Sequence, residues 1–154
     1  MEKFLENLQE AEKTIRIVDH IVYVTFPLVK DKKILIKMLL ETKKAIANCI
    51  NSALQYEYLY KRISLSKDPK INFDTFIKKC SLRFGITREE TILIVHLFDL
   101  VKKHEESTME FIKNGKIIIL SDDLNPEIIT LEKTKEFLNL AKQILRKTMK
   151  KIRT

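Results

Sequence analysis

Thr87-Arg88-Glu89-Glu90-Thr91-Ile92-Leu93-Ile94-Val95-His96-Leu97-Phe98-Asp99-Leu100-Val101 opens with a helix-start signal and continues as an apolar helix. The Thr87 hydroxyl is placed to accept from the Glu90 amide while the Glu90 carboxylate reaches back to the Thr87 amide, a capping box. The apolar residues that follow cover most of the circumference, which predicts a buried central helix running to about His104. A helix that apolar must be wrapped by others, so the rest of the chain is read for its neighbours.

Towards the amino terminus, Phe4, Leu8, Ala11, Ile15, Val18 and Val22 recur at steps of four and three, predicting one face of a helix that reaches about Tyr23. Val22-Tyr23-Val24-Thr25-Phe26 is β-branched and aromatic and meets Pro27, so the helix ends or kinks there. Asp31 caps a second, longer helix with the stripe Leu35, Leu39, Thr42, Ile46, Cys49, Ala53, Tyr56, Tyr60 and Ile63, roughly 45 Å long if about 30 residues rise 1.5 Å each. Ser66-Lys67-Asp68-Pro69 reads as a turn, Asn72 as the cap of a short helix bearing Phe73, Phe76, Ile77 and Cys80, and Gly85 as its close.

Towards the carboxyl terminus, Asn114-Gly115 separates two apolar runs and predicts a small β-hairpin near 109–120. After Ser121-Asp122-Asp123, either Asn125 with Pro126 or Thr130 starts a last helix bearing Leu131, Leu138, Ala141, Leu145 and Ile152. No linker or repeat interrupts the chain. The expected fold is all-α: a single-domain bundle spanning 1–154, with about five helices and one hairpin.

With 154 residues, 45% hydrophobic and 32% charged, the chain has enough apolar material for one core. Its two glycines, against roughly eleven at average usage, supply neither a G-x-G-x-x-G fingerprint nor a P-loop, which removes dinucleotide and P-loop nucleotide chemistry. No apolar run approaches the roughly 20 residues of a membrane span, so no membrane association is expected. Cys49 and Cys80 have no C-x-x-C spacing and give neither a disulfide framework nor a zinc site, and a reducing cytoplasm is the expected setting.

The net charge of +8 is concentrated regionally. Lys142, Arg146, Lys147, Lys150, Lys151 and Arg153 close the chain without an acidic residue among them, and 142, 146, 150 and 153 fall at helical spacing. Three readings fit this stripe: a solvated helix end complementing the helix dipole, contact with the phosphate backbone of RNA or DNA, or contact with an acidic protein surface. Lysine outnumbers arginine 23 to 6, so nucleic-acid contact would be led by the backbone and weak in sequence preference. Tyr56, Tyr58 and Tyr60, beside Lys61 and Arg62, either line a core edge or offer a ring to a base.

Four residues could carry acid–base chemistry. Arg16 and His20 are one helical turn apart, suited either to orienting a phosphate beside a general acid or base or to a plain surface pair. His96 and Asp99, three apart, could share a proton or a metal, or His96 could be buried and hydrogen-bonded. Asn48, Asn51, Ser52 and Gln55 form a polar stripe on the long helix that could bind ligand amides or bases, or set the bundle's register. No metal-ligand pattern or cofactor motif is present. A helix-turn-helix reading of 73–101 fails because the second helix would offer apolar side chains to the major groove.

This outline, a long helical pair, the capped helix from Thr87 and a closing helix, resembles the HEPN class of helical-bundle domains, many of which are ribonucleases or partners of nucleotidyltransferases. Active members carry Arg-x4-6-His, whereas the nearest spacings here are Arg16-x3-His20 and Arg88-x7-His96. What the resemblance implies is a non-catalytic bundle that pairs with itself or with another protein. The expected function is therefore a non-enzymatic binding or assembly module whose basic last helix meets nucleic acid or an acidic partner. A coiled-coil-like homodimer through the first two helices is compatible with it. The alternative is a HEPN-like ribonuclease or nucleotide hydrolase.

Overall fold

Residues spaced three and four apart do bury one face of the first helix, α1 (Lys3–His20), through Leu8, Ala11, Ile15 and Val18. The structure, a computed structural model, describes residues 2–29, 31–107, 109–120 and 126–153; the Ser121-Asp122-Asp123 turn and Asn125 lie outside them. The helix does not stop at Tyr23. It widens into a π-helical turn, Ile21–Thr25, and resumes as α2 (Phe26–Val29). The Phe26 amide donates to the Ile21 carbonyl, five residues back. Pro27 has no amide hydrogen for the ordinary ladder, and the wider turn absorbs that mismatch.

Asp31 caps α3 (Lys32–Leu59), its carboxylate accepting from the Lys33 amide at 2.9 Å. This 28-residue helix is the centre of the molecule: α1, α5, α6 and the π-helical turn Phe76–Cys80 all pack on it. Its predicted stripe is buried as far as Ala53, while Tyr60 is exposed and Ile63 lies past the helix end.

Asp68, not Asn72, caps the short α4 (Pro69–Thr75), with Pro69 in the first turn. Asn72 instead clasps the preceding turn, accepting from the Ser66 amide and donating to the Ser66 carbonyl. Gly85, at φ +70°, ends this segment in the left-handed conformation expected of it.

Both hydrogen bonds of the capping box start α5 (Arg88–Glu106): the Glu90 amide donates to the Thr87 hydroxyl at 3.1 Å, and the Thr87 amide to the Glu90 carboxylate at 2.9 Å. The expectation that this helix is central is corrected. Ile94, Leu97, Leu100 and Val101 are buried, but Ile92 is 57% and Val95 47% exposed. Helix α5 packs chiefly on α3 and α6 and leaves Ile92 and Val95 exposed, so a nearly complete apolar circumference here includes exposed positions.

The expected hairpin is the first part of a three-stranded antiparallel sheet: β1 (Met109–Lys113), β2 (Lys116–Leu120) and β3 (Pro126–Ile129), in that order. Asn114 and Gly115, at φ 53° and 74°, make the tight turn. Pro126 begins a strand and does not start the last helix; the first residue of a strand tolerates the missing donor. Thr130 starts that helix, α6 (Leu131–Arg153), its hydroxyl accepting from the Lys133 amide at 3.0 Å. Ile117, Ile119 and Ile129 join the core. Polar pairs tie the sheet to the helices: Lys32–Glu110 at 3.3 Å, His104 Nδ1–Glu110 at 2.6 Å and Lys103–Glu127 at 2.8 Å. Glu127, with Asp99 also contributing, holds the Lys103 ammonium above its ordinary pKa.

Glu57 is fully buried. Arg62 and Arg83 each hold one of its carboxylate oxygens at 2.7 Å. No helix among the described residues is long and apolar enough to cross a membrane.

Candidate nucleic-acid interface

Helix α6 is strongly two-faced. Phe137, Leu138, Ala141, Ile144 and Leu145 pack towards α3 and α1, while Arg146, Lys150 and Arg153 face solvent and Lys142, Lys147 and Lys151 are half-buried at the edges of that face. Lys142, Arg146, Lys150 and Arg153 flank Leu145 and Met149 around an open depression of about 490 Å3. The helical spacing read from the sequence thus forms a continuous cationic strip, about 16 Å long at 1.5 Å per residue.

The cations of this strip have different surroundings. Lys142 donates to Asp19 of α1 at 2.5 Å, and Lys147 to Glu90 at the start of α5. The Arg146 guanidinium, exposed, donates to the neutral Gln143 amide oxygen at 2.7 and 3.1 Å. Lys150 and Lys151 also have partners within the chain, and Arg153 is exposed near the end of the helix.

Beyond Lys142 the strip meets an aromatic ring. Tyr23, 54% exposed on the π-helical turn, has the Lys135 ammonium 5.5 Å and the Lys142 ammonium 5.9 Å from its ring centre. Sequence reasoning missed both Tyr23 and Lys135. Lys135 precedes Lys142 by seven residues, two helical turns, and extending the stripe backwards would have found it. Tyr23 carried no such signal, because its contact with α6 depends on how α1 packs.

The acid–base candidates remain on separate helices. Arg16 pairs with Glu12 at 2.6 Å, and His20, exposed, ends α1. His96 is half-buried with its ring edge-on to Phe137, centroids 5.6 Å apart, and Asp99 pairs with Lys103 at 3.4 Å. Among the described residues no group of three or more His, Cys, Asp or Glu is placed to hold a metal. Burial pushes the Cys49 thiol up to about 12. Burial, reinforced by the charge of Glu57 and opposed by Arg83 and Lys79, pushes Cys80 up to about 11.

The polar stripe divides among several surroundings. Ser52 is buried and donates to the Phe4 carbonyl at 2.7 Å, the register-setting use of such a group. Asn48 is half-buried, Asn51 is exposed in a cleft shared by α3, α4 and α5, and Gln55 borders a depression between the ends of α1 and α3. Of the three tyrosines, Tyr56 is half-buried edge-on to Phe4 and Phe84, while Tyr58 and Tyr60 are exposed, the latter under the Arg62 guanidinium at 5.2 Å.

Comparison with protein-family models, curated proteins and solved structures finds no match to this chain.

Proposed function

We propose that the protein is a non-enzymatic helical module that binds single-stranded nucleic acid, with α6 contacting phosphates and Tyr23 stacking a base. The observation that carries this reading is the continuity of Lys135, Tyr23, Lys142, Arg146 and Arg153 along one side of the molecule, with Tyr23, Arg146 and Arg153 exposed and Lys135 and Lys142 half-buried. Ammonium and guanidinium groups supply attraction to any phosphate, and a ring half exposed beside two cations suits a base whatever its identity. An acidic protein surface would use the charges equally well but has no call for the ring. The binding reading is favoured over hydrolysis because the two acid–base pairs stand on different helices, Arg16 and His20 on α1 and His96 and Asp99 on α5.

Fluorescence anisotropy with a labelled single strand and its duplex tests this reading. Tyr23→Ala should weaken the single strand about tenfold, in keeping with about 1–3 kcal/mol for one stacked base, and leave duplex binding nearly unchanged. Equal loss on both would remove stacking from the account. Cleavage of the strand during the titration would favour the hydrolase alternative.

A further inference from the structure

A further depression lies where α3, α4 and α5 meet and measures about 790 Å3, a size usual for a binding cleft. Ile50 and Leu54 of α3, Phe73 of α4 and Val95 and Phe98 of α5 make its floor apolar. The Phe73 and Phe98 rings, 5.3 Å apart and tilted by 33°, form one shelf. Its lining runs along α3 from Lys43 to Leu54 and along α5 from Val95 to Glu105. Two helices therefore wall it for about 16 Å, the length of three helical turns.

Lysines stand around this trough: Lys43 on the α3 wall, its ammonium 5.4 Å from the Phe98 ring, Lys70 on α4 and Lys102 on the α5 wall. Of the two carboxylates there, Asp99 is paired with Lys103, which leaves the rim cationic on balance.

We propose that this trough docks an amphipathic helix of a partner protein, about three turns long and acidic on its flanks. Its apolar side chains at i, i+3, i+4 and i+7 would seat on the Phe73–Phe98 shelf, and its Asp or Glu residues would meet Lys43, Lys70 and Lys102. A trough between two helices offers the grooves into which the ridges of a third can pack. Cations ringing an apolar floor select acidic flanks, whereas the cations of α6 border an open face. The trough shares no residue with the α6 strip, so the two sites can be tested separately.

The test titrates the full chain with two fluorescein-labelled peptides of about 15 residues. Both carry leucines at i, i+3, i+4 and i+7; one has glutamate flanks and the other lysine flanks. The glutamate peptide should bind saturably and at least tenfold more tightly than its lysine isomer. The variant Lys43→Glu/Lys102→Glu should reverse that preference, and Val95→Glu, at an exposed position, should abolish binding of the glutamate peptide. Amide shifts of the 15N-labelled wild type, including the Asn51 side chain, locate the peptide should either variant fail to fold. No saturable binding, equal binding of both peptides, or shifts confined to other surfaces would overturn the proposal.

Discussion

One carboxylate oxygen of Glu90 serves two partners: it accepts from the Thr87 amide, closing the capping box, and receives the Lys147 ammonium from α6. The start of one helix is thereby tied to the flank of another. Burial alone would raise the Glu90 pKa, but the ammonium of Lys147 and the amide and hydroxyl of Thr87 outweigh it and hold the carboxyl below its ordinary value of 4.5. A depressed carboxylate contributes stability above its unfolded pKa and loses it as the pH falls through the folded one. Urea unfolding should show stability declining below about pH 4.5. Glu90→Gln, which keeps the capping acceptor but removes the charge, should flatten that decline and cost about 1 kcal/mol or less at neutral pH, the scale of the lost ion pair with Lys147.

Glu57 raises a different electrostatic question, because a wholly buried carboxylate is tolerable only while cations neutralise it. Arg62→Leu and Arg83→Leu should each be mild, since the other guanidinium remains on the carboxylate. The double variant strands the charge and should cost about 3 kcal/mol or more, exceeding the sum of the singles. A double-mutant cycle by chemical denaturation measures the excess. Simple additivity would show that the two arginines act independently.

The two thiols should be silent in the folded protein. With pKa values pushed to about 12 and about 11 by burial, neither Cys49 nor Cys80 carries appreciable thiolate near neutrality. A disulfide reagent should label neither in the native state at about pH 8 and both in denaturant. Rapid native labelling of Cys80 would show that the segment ending at Gly85 opens.

Gly85 isolates a backbone effect. A Cβ there would meet nothing within 4 Å, yet φ is +70°. Gly85→Ala should therefore cost about 1 kcal/mol through conformation alone, and Gly85→Asn less, because asparagine tolerates the left-handed region. Thermal unfolding of the two variants distinguishes this from a packing effect, which would rank them by size.

Local signals were legible in the sequence. The Thr87–Glu90 box, the Asn114-Gly115 turn, the Asp31 cap and the 142–146–150–153 spacing each depend on residues within about three turns of one element. What depends on distant pairing was not. Strand β3 exists because it pairs with β2, while its Pro126 imitates a helix start. Ile92 and Val95 look like core until the neighbours of α5 are known. Nothing in the local sequence marks Glu57 for burial, since Arg83 reaches it only through the fold. The same limit applies to the candidate interface: the spacing of the strip was readable, but the partners of Lys142 and Lys147, 123 and 57 positions away, were not.

Those partners decide how the central claim is best tested. Lys147→Gln would disturb the α5 capping box as well as the surface charge, so Arg146 and Arg153, both exposed, are the residues to change. Binding of a single-stranded oligonucleotide should be measured from about 50 to 300 mM salt for the wild type and for Arg146→Gln/Arg153→Gln. If α6 grips phosphates, the logarithm of affinity falls linearly with that of salt. The variant should lower the slope by about 1.4, the share of two phosphate contacts on a single strand. A wild type that fails to bind at the lowest salt, or a variant with an unchanged slope, would contradict the account.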